Sequence, residues 1–157
     1  MLRILAVLWE TLRIQNWKIQ HMKILIYANV DVDWKGIIRT PYGIAQFRSY
    51  ISRHFITSDL PYNHPSGKAV PGDIIVWAFK DEKDEWYLLG DGFVSDKWKP
   101  RKGTWAFGIE GARLYPRSVA LTELAFASSA RKSLNVSVTL EWNQYRKILE
   151  KAAEPLV

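Results

Sequence analysis

From Val70 to Trp98 the chain switches between apolar runs and short polar breaks in the manner of a β-hairpin. Pro71, Gly72 and Asp73 supply a tight turn, and Ile74 to Phe79 is too apolar for an exposed strand. Asp81, Glu82, Lys83, Asp84 and Glu85 suit a solvated hairpin end. Trp86 then begins a second strand, which reaches the glycine-flanked Gly90-Asp91-Gly92 before a further short strand and Trp98. Upstream, Lys23 to Val30 after Met22 reads as an apolar strand, and Asp31 to Pro41, with Trp34 and Gly36, as a loop. Ile44, Phe47, Ile51 and Phe55 recur at three and four residues, the spacing of a helix with Arg48 and Arg53 on its polar side. Thr57 to Gly67 contains Pro61 and Pro65 and is expected to be a loop.

Downstream, the pattern predicts a basic loop over Ser95 to Thr104, a strand from about Trp105 to Ile109 and another from Ala112 to Val119. A short helix is expected over Thr122 to Lys132. The closing helix has Thr139 as its expected cap, Glu141 at its positive end, a stripe of Trp142, Tyr145, Ile148 and Leu149, and Pro155 to stop it. At the start, Leu2, Leu5, Trp9 and Leu12 mark an amphipathic helix to about Gln15, interrupted by Arg3, Glu10 and Arg13. It is too charged for a membrane span and lacks the uninterrupted apolar region and cleavage site of a signal peptide.

Strands gathered mid-chain without alternating helices disfavour a parallel βαβ architecture and favour an α+β fold, a small mixed β-barrel flanked by helices. Residues 1–21 are read as an N-terminal helix or appendage and 22–157 as one domain, which a chain of 157 residues accommodates. The closing Ala-Ala-Glu-Pro-Leu-Val suits a linker cut from a longer protein, and a natural terminus equally.

Composition alters this picture in two respects. The chain has no cysteine, so disulfides, thiolate metal sites and cysteine nucleophiles are excluded, and a cytoplasmic location is the default expectation. Twenty-two Lys and Arg against 16 Asp and Glu give a net charge of +6, which favours approach to polyanions such as nucleic acid. The cations cluster at Lys97, Lys99, Arg101 and Lys102, at Arg113 and Arg117, and at Arg131 and Lys132, and the acids at the Asp81 to Glu85 tip, a polarity that suggests one basic face. The alternative is the charged surface of any basic soluble protein.

No motif supports catalysis. His54, Asp59 and His64 are close enough in sequence for metal ligation or general-base work, but His54 fits a helix end and His64, before Pro65, a loop. Ser66 lacks the context of a nucleophile, and no phosphate-binding Gly-rich loop ending in Lys-Ser or Lys-Thr is present. The expectation is a non-enzyme with no cofactor and no metal.

Eight tryptophans remain to be placed, and Trp34, Trp98 and Trp105 fall among Gly, Pro, Lys and Asp rather than in apolar runs. Each has an ordinary use covering a core. Their alternative use is as flat walls for a planar ligand.

The order of motifs carries a resemblance. The strand and Trp loop of Ile24 to Trp34, the helix of Ile44 to Phe55, the Pro-Gly-Asp strand of Val70 to Phe79, the Gly-x-Gly-x-Val-Ser strand of Trp86 to Ser95, the Tyr-Pro-Arg-x-Val strand of Tyr115 to Leu121 and the Tyr-containing helix of Leu140 to Leu149 together resemble the EVE branch of the PUA-like superfamily. The likeness spans about Met22 to Leu149.

That resemblance implies a PUA-like barrel that binds nucleic acid and takes a modified, methylated base, flipped out of its stack, into an aromatic cage. EVE domains are similar to YTH readers of methylated adenine and to the N-terminal recognition domain of some McrB-type modification-dependent restriction proteins. The chain would then be such a specificity domain, with DNA favoured over RNA, a fused or associated NTPase or nuclease as partner, and no membrane. The base-binding candidates are Trp34 and Trp98, then Trp105 and Trp77, with Asn29, Asp33 and Ser95 as polar partners; Lys97, Lys99, Arg101 and Lys102 would hold phosphates. Two alternatives stand beside this: an RNA-binding PUA-like module, and a protein-interaction module using the Trp-rich surface.

Overall fold

The computed structural model describes residues 22–29, 48–49, 61–80, 85–124 and 137–153. The expected N-terminal helix, the loop of Asp31 to Pro41, the acidic tip at 81–84 and most of the expected helices over 44–55 and 122–132 lie outside them. The described residues form an α+β, sheet-dominated fold: strands β1 (Ile24–Asn29), β2 (Tyr62–His64), β3 (Ile74–Lys80), β4 (Trp86–Arg101), β5 (Thr104–Ala120) and β6 (Ser137–Leu140), then helix α1 (Trp142–Ala152). The six strands make one mixed sheet in the order β2-β5-β4-β3-β1-β6. Among the described residues only β1 and β3 pair in parallel.

The unbroken apolar character of β1 and β3 follows from their central place, where both faces are covered. Ile24, Ile26, Ile74 and Val76 pack with Leu88, Tyr115, Val119 and the α1 residues Tyr145, Ile148 and Leu149. Their alternate neighbours Leu25, Tyr27, Ile75 and Trp77 pack on the other side with Tyr62, Leu89, Val94 and Phe107. Tyr27 of β1 lies 5.8 Å from Phe107 of β5, although three strands' worth of ladder separates them in the sheet, so the sheet curls over this second core.

The curl does not close a barrel. Among the described residues β2 and β6 remain the two edges, and no ladder joins them. Side chains bridge the gap instead, with Ser66 Oγ 3.3 Å from Ser137 Oγ and Tyr27 OH donating to the Ser66 carbonyl at 3.0 Å. β2 is confined to three residues between Pro61 and Pro65, and a proline ring has no N–H to continue a ladder. The expected barrel is therefore corrected to an open, curled sheet.

Four local expectations also change. The loop of Thr57 to Gly67 contains β2. The expected basic loop is strand almost throughout, because β4 and β5 run as one ribbon to a turn at Lys102 and Gly103, with register shifts along it. The separate strands expected on either side of Glu110 are one strand, β5. Thr139 does not cap α1: it pairs with Leu25 inside β6, and Glu141 holds the N-cap, its N–H donating to Gln144 Oε1 at 2.8 Å.

Gly90 has a steric reason within the ribbon. A Cβ there would run into the Arg113 carbonyl of β5, so the close crossing of the two strands needs glycine. The adjacent Asp91, 3% exposed, accepts from Arg113 Nε at 2.8 Å, Arg113 Nη2 at 3.1 Å, and the hydroxyls of Tyr115 and Tyr145 at 2.8 Å each. This one carboxylate ties β4, β5 and α1 together. Burial, and then the Asp91 charge, push both tyrosines well above their ordinary values. Burial opposes the charge of Arg113, but the Asp91 carboxylate outweighs it and raises the guanidinium.

Candidate nucleic-acid interface

The outer end of the β4–β5 ribbon carries most of the basic and aromatic residues singled out in the sequence. Lys97 pairs with Phe107 and Trp98 with Ala106, and successive strand residues point to opposite faces. Lys97 and Phe107 thus share one face, Trp98 and Ala106 the other, and Trp105 returns to the face of Phe107. The expected aromatic set is thereby split, with Trp98 and Trp105 on opposite sides of the ribbon.

Trp105 is the centre of a clasp. Its indole lies on Gly67, where an added Cβ would stand 2.5 Å from the ring, so only glycine permits the approach. Lys97 Nζ sits 4.5 Å and Lys99 Nζ 5.0 Å from the Trp105 ring centroid, within cation–π range. Lys97 Nζ also donates to the Gly67 carbonyl. Lys97, expected on a phosphate, is thus engaged in fastening the ribbon to the Gly67 segment.

That segment continues the positive strip. Lys68 is exposed beside Gly67, and Lys23 Nζ donates to the Lys68 carbonyl at 2.8 Å while standing 3.6 Å from Asp73 Oδ2. At the far end Lys99, Arg101 and Lys102 are exposed, and among the described residues none of them lies within ion-pair range of a carboxylate. Trp98 is exposed by 41%, which among the described large apolar residues only Val70 equals. An accessible indole can stack on a planar ring, while Lys99, on the opposite face over Trp105, and Arg101 and Lys102 at the tip can meet anions.

The remaining candidates fall elsewhere. Trp77 is 0% exposed in the second core, 6.1 Å from Tyr62, so it is a core residue without a surface for a ligand. Ser95 is exposed on β4 with its Oγ against Gly108. Asn29 ends β1 opposite Phe79, and its side chain, like Trp34 and Asp33 altogether, lies outside the described residues. Arg113 and Arg117 do not extend the basic face, because Arg113 is bound to Asp91 and Arg117 to Glu123. Burial alone would raise the Glu123 carboxyl, but the Arg117 hydrogen bond and the Ala120 N–H hold it below its ordinary value.

A second cluster escaped the sequence reading. His64 is 4% exposed rather than in a loop, and its ring stacks on Tyr27 at 4.3 Å. Its Nδ1 accepts from the Ser66 N–H at 3.0 Å, so its Nε2 carries the proton and donates to the Ala28 carbonyl at 3.0 Å. Ala28 is one residue past the end of the β1–β6 ladder. Burial lowers His64 to about 4. With both nitrogens occupied inside the fold, this imidazole serves the seam of the curled sheet; His54 and Asp59, its expected companions, are outside the described residues.

Among the described residues no helix is long and apolar enough to cross a membrane. Compared with known proteins, the chain matches no family model, no curated protein and no solved structure.

Proposed function

We propose that this chain binds nucleic acid through the outer β4–β5 ribbon, with Trp98 stacking on a base and Lys99, Arg101 and Lys102 meeting phosphates. The observation that carries the reading is an exposed Trp98 ring on one face of a ribbon end whose exposed cations, Lys99 on the opposite face and Arg101 and Lys102 at the tip, no described carboxylate neutralises. Lys68 lengthens the positive strip, with Lys23 donating to its carbonyl, and the Lys97 and Trp105 clasp fixes the ribbon against the Gly67 segment that bears Lys68. Phosphate contacts supply salt-dependent affinity without sequence information, whereas the base face supplies the part that resists salt.

The finer reading, with a methylated base of DNA held between Trp98 and Trp34 in the manner of an EVE-type specificity domain, rests on the resemblance of the motifs. A methyl group adds apolar area to the stacked base, which an indole wall favours. An RNA ligand in the same place is the alternative. The test is a fluorescence-anisotropy titration of matched oligonucleotides, unmodified, adenine-methylated or cytosine-modified, at two salt concentrations. Preference for one modified species that survives the higher salt supports a base-reading site. Equal, salt-labile binding to all species leaves a basic surface alone, and no binding refutes the nucleic-acid reading and favours a protein-docking role for Trp98.

A further inference from the structure

Across the sheet, Trp98 shares its row with a side chain from a third strand. Ala106 of β5 lies opposite Trp98 of β4 on one side and opposite Asn63 of β2 on the other. Tyr62 and His64 are buried and Asn63 between them is exposed, so Asn63 points to the outer face with Ala106 and Trp98. At about 4.8 Å per strand, the Cα atoms of Asn63 and Trp98 stand about 10 Å apart. Ala106 belongs to neither core yet is only 1% exposed, so a ligand meets this row on Trp98 and Asn63 rather than on its floor.

Two more polar groups open onto the same face. Gly108 is two residues from Ala106 and opposite Asp96, and a Cβ there would stand 2.9 Å from Ser95 Oγ and 3.2 Å from Asp96 Cβ. Both side chains therefore share the Trp98 face, where the register shift between Val94 and Asp96 sets them side by side. Both are exposed, and the Lys97 N–H donates to Asp96 Oδ1 at 2.8 Å, which holds the carboxylate in place. Lys99, by contrast, stands over Trp105 on the other face. The outer face thus offers a stacking ring beside an amide, a hydroxyl and a carboxylate. A carboxylate accepts hydrogen bonds and donates none, so it favours a base edge with an amino group and disfavours one with a keto oxygen in that place. An Asn amide can accept from the same amino group while donating to the ring nitrogen beside it.

Resting on the nucleic-acid reading above, we infer that Asn63 and Asp96 read the edge of the base stacked on Trp98 and select an amino-bearing base, cytosine or adenine, over a keto-bearing one. The selection acts on the edge of the base, so it holds whether Trp98 stacks alone or together with Trp34. Cytosine and uracil are the sharpest probes, since both are single rings without a methyl group and differ only at the amino or keto position and the adjacent ring nitrogen. The experiment measures, by anisotropy at low salt and neutral pH, the binding of labelled strands of about 15 deoxycytidines and about 15 deoxyuridines. It uses the full chain, Asn63→Ala, Asp96→Asn and Trp98→Ala, each confirmed as folded by its thermal transition.

The full chain should bind the deoxycytidine strand about 5- to 150-fold more tightly, the discrimination of one good side-chain pair with a base edge. Asn63→Ala should weaken the deoxycytidine strand and leave the deoxyuridine strand unchanged. Asp96→Asn, whose amide can donate to a keto oxygen, should strengthen the deoxyuridine strand and narrow the ratio. Trp98→Ala should weaken both strands, since stacking accepts every base. Equal binding of the two strands by the full chain, or a ratio left intact by Asn63→Ala or by Asp96→Asn, overturns the edge reading and leaves the nucleic-acid reading standing. Binding of neither strand overturns both. Should Asn63→Ala fail to fold, Asn63→Thr, a residue suited to a strand, takes its place with the same expected loss of the ratio.

Discussion

Replacing His64 by glutamine tests whether the seam of the curled sheet is held by a neutral imidazole. In the folded protein both ring nitrogens are committed, one to the Ser66 N–H and one to the Ala28 carbonyl, and the ring is stacked on Tyr27. A second proton would have to occupy Nδ1, where the Ser66 N–H already points. The folded value of about 4 lies below the ordinary 6.5, so the unfolded chain binds the extra proton more readily. The stabilisation is therefore fully present above about pH 6.5 and is lost as pH falls toward 4. At about 1.36 kcal/mol per unit, this difference amounts to roughly 3 kcal/mol.

Urea denaturation followed by tryptophan fluorescence, at a series of pH values from 7.5 to about 4, measures the effect. His64→Gln should be less stable at neutral pH by about 1 to 3 kcal/mol, from lost hydrogen bonds and stacking. Carboxylates titrate over the same range in both proteins and cancel in the difference, so acidification should shift the difference by about 3 kcal/mol in favour of the variant, closing the gap or reversing it. Parallel curves, or an imidazole that titrates near 6.5 in the folded protein by NMR, would refute the reasoning.

Two other expectations concern the core of the ribbon. Asp91→Ala leaves Arg113 without its charge partner and two buried tyrosine hydroxyls without their acceptor, and should destabilise by about 3 to 5 kcal/mol in thermal or urea unfolding; a loss below about 1 kcal/mol would show that the network is not structural. Because Tyr115 and Tyr145 are raised above 10 in the folded state, their contribution is present below pH 10 and is lost as pH rises above it, so wild-type stability should fall in alkali more steeply than that of a Tyr145→Phe variant. Gly67→Ala should displace the Trp105 ring and loosen the clasp, raising the amide exchange of residues 97–105 while leaving that of β1 and β3 unchanged; uniform protection would count against the clasp.

The legible parts of this fold were those in which side-chain burial dictates composition. β1 and β3 are covered on both faces, and their unbroken apolar runs announce them. The stripe of α1 is read correctly because Tyr145, Ile148 and Leu149 all face one core. The outer ribbon was misread because its residues are exposed, and Lys-Trp-Lys-Pro-Arg-Lys-Gly has the composition of a loop even though backbone pairing makes it strand. β6 did carry a signal, the alternation of Val136, Val138 and Leu140, which the neighbouring helix pattern obscured. Of the site, sequence brought out Trp98 and its cations, but the division of Trp98 from Trp105 depends on ladder register, which composition does not encode. His64 was hidden for a related reason: its flanking prolines mark a break, and only the curl of the sheet brings it under Tyr27.

The ribbon also divides the labour of the two longest strands along their length. From Trp86 to Val94 β4 is largely buried, whereas from Ser95 to Arg101 every residue but Lys97 is exposed, so the outer end contributes little to the cores. The tip beyond the Trp105 clasp is thus an exchangeable part. A short turn grafted between Trp98 and Trp105 should remove Lys99, Arg101 and Lys102 and cost the clasp only the Lys99 contact with Trp105, the cores beneath being undisturbed. Foreign hairpin sequences could occupy the same place, which makes the arm a natural site for transplanting or varying recognition on a fixed scaffold.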